Sequence, residues 1–564
     1  MAPYFLQNLI PRREKTEHAR PLMQVLLSLT WLQWAQFWVG WLAWTCDAID
    51  FFSVSLSVSA LTDTFDRSTH DITTAITLTL LLRSAGAIIF GIISDRYGRK
   101  WPLVFNLILV AILELGAGFV NTFSQFLAVR SLFGIGMGGI WGLASATALE
   151  NLPVEVRGLA SGVLQQGYAV GYLIAAVIDL TLVPDKDAAL NGDGWRSLFW
   201  LASGISLFAA GMRALLPESA VFIKAKADAA ARGANTKNKT KVFLRETGKM
   251  LKTHWLLCIY AVLLMTGFNF LSHGSQCIRS FIFTFMNHCI FTFFPFFASR
   301  SSRSRILFQG SWVHGYMGTM GHGTLWSDRD LYPTYLKDSK GFTDHQATVA
   351  TIIGNCGAIA GGAIAGWASQ YIGRRLTIVI MILLVAAFIP LWILPSDFSG
   401  LAAGAFCIQF GVQGAWGVIP IQLAEMSPPA FRATFPGVAY QVGNMVSSAS
   451  AQIEATGGEH QRTTLRQADG TFKDIPDYAT VQGILIGVVA AYLLVVTILG
   501  PENHGSHFEK HKAAFEEGGG EDDAFREDED GAVGGVKRRD VESGSGDGSG
   551  SLDEKREDHG VEKA

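Results

Sequence analysis

Four side chains in this sequence carry charge, or titrate, where everything around them is apolar. Arg83 stands in ITLTLLLRSAGAIIFG, Asp47 and Asp50 in GWLAWTCDAIDFF, and His273 in FNFLSHG. A charge in such a run costs on the order of 3 kcal/mol in a membrane unless it faces a partner or a wet cavity. A planar guanidinium holds a carboxylate through two parallel hydrogen bonds. Arg83 therefore suits either a small carboxylate substrate or an intramembrane pair with Asp47 or Asp50. The two aspartates lie three apart and project from neighbouring faces of one helix. A carboxylate in a partly dry cavity binds a proton more readily, so either could load and release one; the alternative is a permanent pair with Arg83 or a helix-end role. Imidazole titrates in the working range and can donate to a carboxylate. Asn269, Ser272, Ser275 and Gln276 around His273 suggest the lining of a site rather than plain packing. Gln166 and Gln441 are amides at comparable depth, suited to a substrate hydroxyl or keto oxygen, or equally to helix-packing hydrogen bonds.

The elements that position these residues are written twice. Gly86, Gly91, Ser94, Gly98, Arg99, Lys100, Glu150, Pro153, Arg157, Gly162 and Gln166 become, on adding 275, Gly361, Gly366, Ser369, Gly373, Arg374, Arg375, Glu425, Pro428, Arg432, Gly437 and Gln441. Internal duplication in an apolar chain implies a carrier of two similar halves with the substrate site between them. Arg83 has Ala358 as its counterpart, so the fold does not demand a charge there.

Composition agrees. Of 564 residues, 49% are hydrophobic and 16% charged, well short of the quarter or so expected of a soluble protein. The mean hydropathy is +0.28. Sixty glycines suit close helix packing in lipid. A net charge of −3 gives no indication of a nucleic-acid partner, and the six cysteines have no metal or disulfide spacing. No cofactor, no metal and no enzymatic activity are expected: glycine runs such as Gly134, Gly136, Gly138 and Gly139 sit inside an apolar helix and read as packing.

Apolar runs predict membrane helices near 30–55, 72–94, 101–120, 124–148, 158–181, 196–216, 255–276, 345–369, 374–395, 399–424, 433–453 and 481–500. The expected fold is an all-α membrane protein with twelve transmembrane helices in two pseudo-symmetric six-helix halves. Residues 1–25 form an N-terminal segment, 26–218 the first half, 219–254 a basic linker, 255–500 the second half and 501–564 a disordered tail. Arg99, Lys100, Arg157, Arg374, Arg375 and the lysines of the linker fall on one side, which the positive-inside rule makes cytoplasmic, with both termini. No cleavable signal peptide is evident, and the sequon at Asn238 lies on the inner side.

The offset fails at the start of the second half. Removing 277–329 restores it as 222, which sets Asp47 opposite Asn269 and Asp50 opposite Ser272. The segment reads as an insertion, an intron retained in the transcript; the alternative is a genuine re-entrant or extracellular loop.

The 2–3 loop, Gly91 to Lys100 with Asp95, Arg96, Gly98 and Arg99, resembles the GxxxDRxGRK signature of the major facilitator superfamily. Arg130-Ser-Leu-Phe-Gly134-Ile-Gly136 resembles its RxxxGxG signature. With the insert bridged, Asn269, Ser272, His273, Ser275 and Gln276 join Asp330 and Thr334 in a pattern similar to NxxSHxSQDxxxT of fungal monocarboxylate–proton symporters of the Jen type, in the sialate-symporter-like branch. Gly40 to Phe52 and Gly500 to Gly505 are similar to the same branch. The resemblance implies a plasma-membrane symporter that takes lactate or pyruvate with a proton, with the seventh-helix motif lining the path. Asp95, Arg96, Arg99 and Lys100, with Glu150 and Arg157, are expected to form charge pairs holding a cytoplasmic gate, with Glu425 and Arg432 as their second copy. Arg130 is expected to be structural or coupling. Gln370 replaces Asp95 in the second copy, so pairing there should be weaker. Expected partners are the carboxylate, the proton, the lipid bilayer and cytoplasmic regulators of the linker and tail. The alternatives are a dicarboxylate or other organic-anion carrier, a non-transporting nutrient receptor, and an inactive product split by the insert.

Overall fold

The computed structural model of the chain describes residues 21–67, 69–182, 194–231, 239–274, 340, 342–448, 461–466, 472–476, 478–506, 508, 516 and 518–523. Ser275, Gln276, Asp330, Thr334, Asn238 and the whole of 277–329 lie outside the described residues.

Helices follow the apolar runs. They are α1 Leu22–Ser28, α2 Trp31–Leu56, α3 Val58–Phe65, α4 Thr69–Tyr97, α5 Lys100–Ala117, α6 Phe123–Gly138, α7 Ile140–Leu149, α8 Val154–Gln165, α9 Gly167–Leu182 and α10 Trp195–Leu215. Then come α11 Ala220–Ala231, α12 Lys239–Thr253, α13 Trp255–Gly274, α14 Asp344–Ile372, α15 Arg374–Ile393, α16 Phe398–Met426, α17 Thr434–Ser447 and α18 Tyr478–Leu499. Among the described residues, 10 helical stretches are long and apolar enough to cross a membrane. The 26-residue α2 is not among them, because Gln33, Gln36, Asp47 and Asp50 dilute its apolar character. α17 has 14 described residues, and the predicted end of its run, at 453, lies outside the description.

Local chemistry sets the helix starts. Thr30 with Gln33 closes a capping box on α2, and Thr343 with Gln346 does the same on α14. Between α4 and α5 the chain turns at Gly98 with φ 109°, and between α14 and α15 at Gly373 with φ 95°. Only glycine takes that backbone readily, and the two positions are 275 apart.

Contacts repeat at the same offset. Gly86 lies against the backbone of Ile135, and Gly361 against that of Phe410. These glycines let α4 approach α6, and α14 approach α16, to backbone contact, the main source of attraction between helices in lipid. Across the repeats, a Cβ on Gly162 would meet the Gly362 carbonyl oxygen and lie 3.1 Å from the Gly366 Cα.

Two stretches differ from the sequence reading. The basic segment 219–254 contains α11 and α12 rather than plain loop. Phe243 and Met250 of α12 are buried against Ala430 and Phe431, in the 3-10 turn Pro429–Phe431 ahead of α17. Of the stretch read as a disordered tail from 501, only 501–506, 508, 516 and 518–523 are described, and several of these are buried. Asn503, Ser506, Phe508 and Glu516 are buried, and the N–H groups of Gly518 and Gly520 donate to Glu246 of α12 at 3.1 and 3.2 Å. Composition made the stretch look polar and free, but Phe508, Gly518 and Gly520 have partners far away in sequence. A hairpin of Arg462–Arg466 with Phe472–Pro476, absent from the sequence reading, lies between α17 and α18.

Replacing Gly162 with Leu should cost at least about 1–3 kcal/mol, because its neighbours are backbone and cannot yield. Thermal unfolding in detergent should show a lower melting temperature and weaker surface expression. Gly211→Ala, where a Cβ meets nothing within 4 Å, should leave both unchanged.

Candidate functional site

Midway along α4, Arg83 Nη2 donates to Asp47 Oδ2 of α2 at 2.7 Å. Both side chains are buried, at 3% and 0% exposure. Of the two sequence alternatives for Arg83, the intramembrane pair is the one formed here, and Asp47 rather than Asp50 is the partner. The pair is incompletely satisfied: Asp47 Oδ1 and Arg83 Nε have no hydrogen-bond partner among the described residues. The Phe51 ring lies 5.9 Å from the guanidinium carbon. A buried group with spare bonding capacity is unusual in a folded protein and calls for an explanation, of which a ligand is one.

Around this pair the two repeats meet. Tyr440 of α17 lies among three tryptophans: 4.6 Å from Trp141, 5.7 Å from Trp416 and 6.1 Å from Trp44, centroid to centroid. Trp141 and Trp416 are symmetry mates by the 275 offset. Trp44 stacks on Tyr168 at 5.5 Å. His273 Nε2 lies 3.4 Å from Asn444 Oδ1, and Asn444 donates to Gln441 Oε1 at 2.9 Å. Asn269 donates to the carbonyls of Met265 and Tyr440 at 2.9 and 3.2 Å. Gln166 donates to Gly162 O at 3.3 Å, so part of its capacity goes to helix packing. Gln166 Oε1, Gln441 Nε2, Trp44 Nε1, Trp416 Nε1 and Gln413 Oε1 have no partner among the described residues. Ser272 follows Leu271 near the end of the described α13 and is half-buried. Sequence reasoning missed the aromatic cluster and Asn444. The signal for the tryptophans was present in the offset; Asn444 is three residues on from Gln441, on the same helix face.

Asp50 does not join Arg83. Its Oδ2 accepts from Ser206 of α10 at 3.2 Å. Arg130 is equally separate from the gate residues. It donates to Glu114 of α5 at 2.7 Å, and it lies 20 residues before Glu150, about 30 Å along a helical path. Glu114, a lone acid in VFNLILVAILELGAGFV, was not singled out in the sequence.

The charged residues of the repeated loops gather at the end where α4 meets α5 and α14 meets α15. Arg99 donates to Glu150 through Nη2 at 2.8 Å and Nε at 3.1 Å. The second copy matches: Arg374 donates to Glu425 through Nε and Nη2, both at 3.0 Å. Burial works against the Arg99 charge, but Glu150, Asp95 and Glu218 around it hold its proton affinity above the ordinary value. Glu218 accepts from the N–H groups of Arg99 and Lys100, and Glu502 accepts from that of Arg374. Burial pushes the Glu502 carboxyl up to about 7, with the Arg374 N–H and Arg375 opposing it. Lys100 lies over the Trp101 ring and Arg96 over the Tyr97 ring, at 5.1 and 4.9 Å.

Three contacts join one repeat to the other at this end. Asp95 accepts from the N–H groups of Ala433 and Thr434 and from the Thr434 hydroxyl, at 3.2, 3.0 and 2.6 Å. An anion at a helix start satisfies orphan donors and suits the helix dipole. Gln370, its counterpart, accepts from Gly158 N at 3.1 Å and donates to Val154 O at 3.0 Å. The geometry survives the loss of charge. Ser161 bridges Gly417 O at 2.7 Å and Ile421 N at 3.1 Å, entering the broken turn beside Pro420 of α16.

A fourth contact involves the segment after α18. Arg157 and Arg432, symmetry mates, lie over the Phe508 ring at 3.8 and 4.2 Å. Arg157 also donates to Ser506 O at 2.9 Å, and Arg432 to Phe508 O at 2.7 Å. Gly505 N donates to Glu425 at 3.1 Å. The sequence placed both arginines among the gate charges; it gave no sign that an aromatic ring from 508 would lie between them.

The model of the family "Sugar (and other) transporter" matches residues 21–257 and 304–463. A carboxylic acid transporter protein homolog of Saccharomyces cerevisiae is 33% identical over 86% of this chain and 71% of its own length. A cis,cis-muconate transport protein of Acinetobacter baylyi is 24% identical over 73% of this chain and 85% of its own. Among solved structures, the proton:xylose symporter XylE of the major facilitator superfamily aligns with a TM-score of 0.58 at 16% identity, over 85% of this chain and 98% of that one. The fold is that of the major facilitator superfamily, and the chain belongs to the sugar (and other) transporter family.

Proposed function

We propose that the chain carries short monocarboxylates such as lactate and pyruvate, together with a proton, across the plasma membrane by alternating access. The observation that carries this reading is the buried Arg83–Asp47 pair at the meeting of the repeats, with an oxygen and an N–H that have no partner among the described residues. Relatives named for carboxylic acid and muconate transport support an organic acid as cargo. On this reading twelve helices form two six-helix halves, residues 219–254 link them, and the basic end with both termini is cytoplasmic.

In the cycle, a proton taken from the outer side by Asp47, Asp50 or His273 loosens the hold of Asp47 on Arg83. The guanidinium then takes the substrate carboxylate in two hydrogen bonds. In this cycle Gln166, Gln441, Asn269 and Ser272 bind the hydroxyl or keto oxygen. Ser275, Gln276, Asp330 and Thr334 complete the lining if 277–329 is absent from the working protein. With charge balanced, the halves rock, and the contacts of Asp95, Arg99, Glu150, Arg157, Glu425 and Arg432 at the cytoplasmic end open. Arg96 and Lys100 flank that gate.

A second reading, a larger unsaturated organic anion, is favoured by the aromatic cluster around Tyr440, since flat rings bind flat substrates. Competition of unlabelled muconate against lactate separates the two.

The test is uptake of labelled lactate at pH 5 and pH 7.5 in cells lacking their own carriers, with the full chain and with the chain shortened by 277–329. Uptake should be faster at pH 5. Arg83→Ala should abolish it while surface expression persists; normal uptake by that variant removes Arg83 from the site. Phe508→Ala should free the strap, so that limited proteolysis near 501–523 becomes faster and lactate efflux rises. Unchanged cleavage and efflux would show that the ring does not hold the gate.

A further inference from the structure

We propose that α1 is an interfacial helix: it lies on the phospholipid surface at the basic end of the bundle, with Met23 and Leu27 among the acyl chains, and there braces α8. Such docking goes beyond the proposed transport and is independent of the cargo.

The seven residues of α1, LMQVLLS, divide around the helix into three sectors. At about 100° per residue, Leu22, Val25 and Leu26 share one side, with Leu29 at its end. Val25 is fully buried in one cluster with Leu149, Leu152, Val156, Ala160 and Leu164, and the three leucines of α1 and its cap pack against that cluster. Met23 and Leu27, one turn apart, form a second side and are 66% and 80% exposed. Gln24 and Ser28 form the third and are also exposed. A surface helix in water would be polar all over its outer face. A helix with a protein face, an exposed apolar flank and an exposed polar flank suits the line where protein, lipid and water meet.

Its position agrees. Leu29 and Thr30 are extended, with ψ 132° and 154°, so α1 is not a continuation of α2. Gln33, near the start of α2, donates to Asn151 O at 2.8 Å, beside Glu150. That contact sets α1 at the end that holds the paired charges. Exposed aromatic side chains mark the same level. Trp31 opens α2, Tyr97 closes α4, Trp101 lies in the first turn of α5 and Trp255 opens α13; they are exposed by 76%, 65%, 64% and 50%. Tryptophan and tyrosine collect where a bilayer meets water, so this ring puts the bilayer surface at α1. Trp38, seven residues after Trp31, is also exposed. The exposed apolar side chains thus continue from α1 along α2, and lipid is the occupant that covers both.

The helix braced by α1 belongs to the gate. Val156, Ala160 and Leu164 on one side of α8 lie in the α1 cluster. Elsewhere on α8, Gly158 N donates to Gln370 at 3.1 Å and Ser161 to Gly417 O at 2.7 Å. Lipid held on α1 therefore steadies, from the bilayer side, a helix that carries contacts between the repeats.

The test places spin labels one at a time, at Met23→Cys, Gln24→Cys, Leu27→Cys and Ser28→Cys, in the full chain with its own cysteines replaced. The protein is reconstituted in vesicles of phosphatidylcholine and phosphatidylserine. Collisions with oxygen, which concentrates among acyl chains, should dominate at 23 and 27. Collisions with a water-soluble nickel chelate should dominate at 24 and 28. High nickel access at all four positions puts α1 in water and overturns the proposal. Exclusion of both probes at 23 and 27 means that protein covers them, a second copy or another segment, and overturns it equally. A second measurement keeps the native cysteines and decides if the cysteine-free chain does not fold. Leu27→Asp alters only an exposed side chain, and amide hydrogen exchange in the same vesicles should rise by about threefold or more over both 22–28 and Val154–Gln165. Exchange equal to wild type overturns the dock, and a rise confined to 22–28 overturns the brace.

Discussion

A guanidinium and a carboxylate buried against each other in an apolar interior, with Arg83 Nε and Asp47 Oδ1 lacking a partner among the described residues, set the conditions for everything else in this chain. Removing Arg83 and Asp47 from water is costly, and a single 2.7 Å contact repays only part of that cost. The unsatisfied remainder is what a substrate carboxylate would relieve. An interior that filled Arg83 completely would be more stable and would bind nothing. The pair sits where the repeats meet: Ser84, next to Arg83, donates to Gln441 O of the second repeat at 2.9 Å.

The rest of the structure restricts that motion. At the basic end, each repeat inserts a polar side chain into the other: Asp95 at the start of α17, Gln370 at the start of α8, and Ser161 in the broken turn of α16. These are short, local bonds, which can break and reform without disturbing the helix ladders. Backbone-close glycine contacts such as Gly162 on Gly362 set how near the helices come. The segment to Phe508 ties both repeats through the mated arginines. On the proposed reading, substrate chemistry lies at Arg83 and closure around Asp95, 12 residues further along α4, about 18 Å by helical rise.

Much of this was legible in the sequence because duplication carries information twice. The 275 offset identified Glu150 with Glu425 and Arg157 with Arg432 before any contact was known, and the pairs Arg99–Glu150 and Arg374–Glu425 share one geometry. A charge in an apolar run has few explanations, which made Arg83 and Asp47 readable. What escaped did so for physical reasons. Tyr440 and Phe508 are ordinary in type, and their role comes from neighbours hundreds of residues away. Glu114 was visible as a lone acid in an apolar helix, yet its meaning depends on Arg130 across a helix pair. Arg130 was read from its motif as structural or coupling, and its partner Glu114 lies on α5. The seventh-helix residues beyond Gly274 lie outside the described structure, so that part of the site rests on sequence alone.

The central claim is that Asp47 and the substrate compete for Arg83. Calorimetric titration of lactate into purified Asp47→Asn protein, beside the wild type at pH 7.5, tests it most directly. Freeing Arg83 should tighten binding by roughly tenfold, equivalent to about 1.4 kcal/mol. Affinity that is unchanged or lost, in a variant that melts like the wild type, would contradict the account.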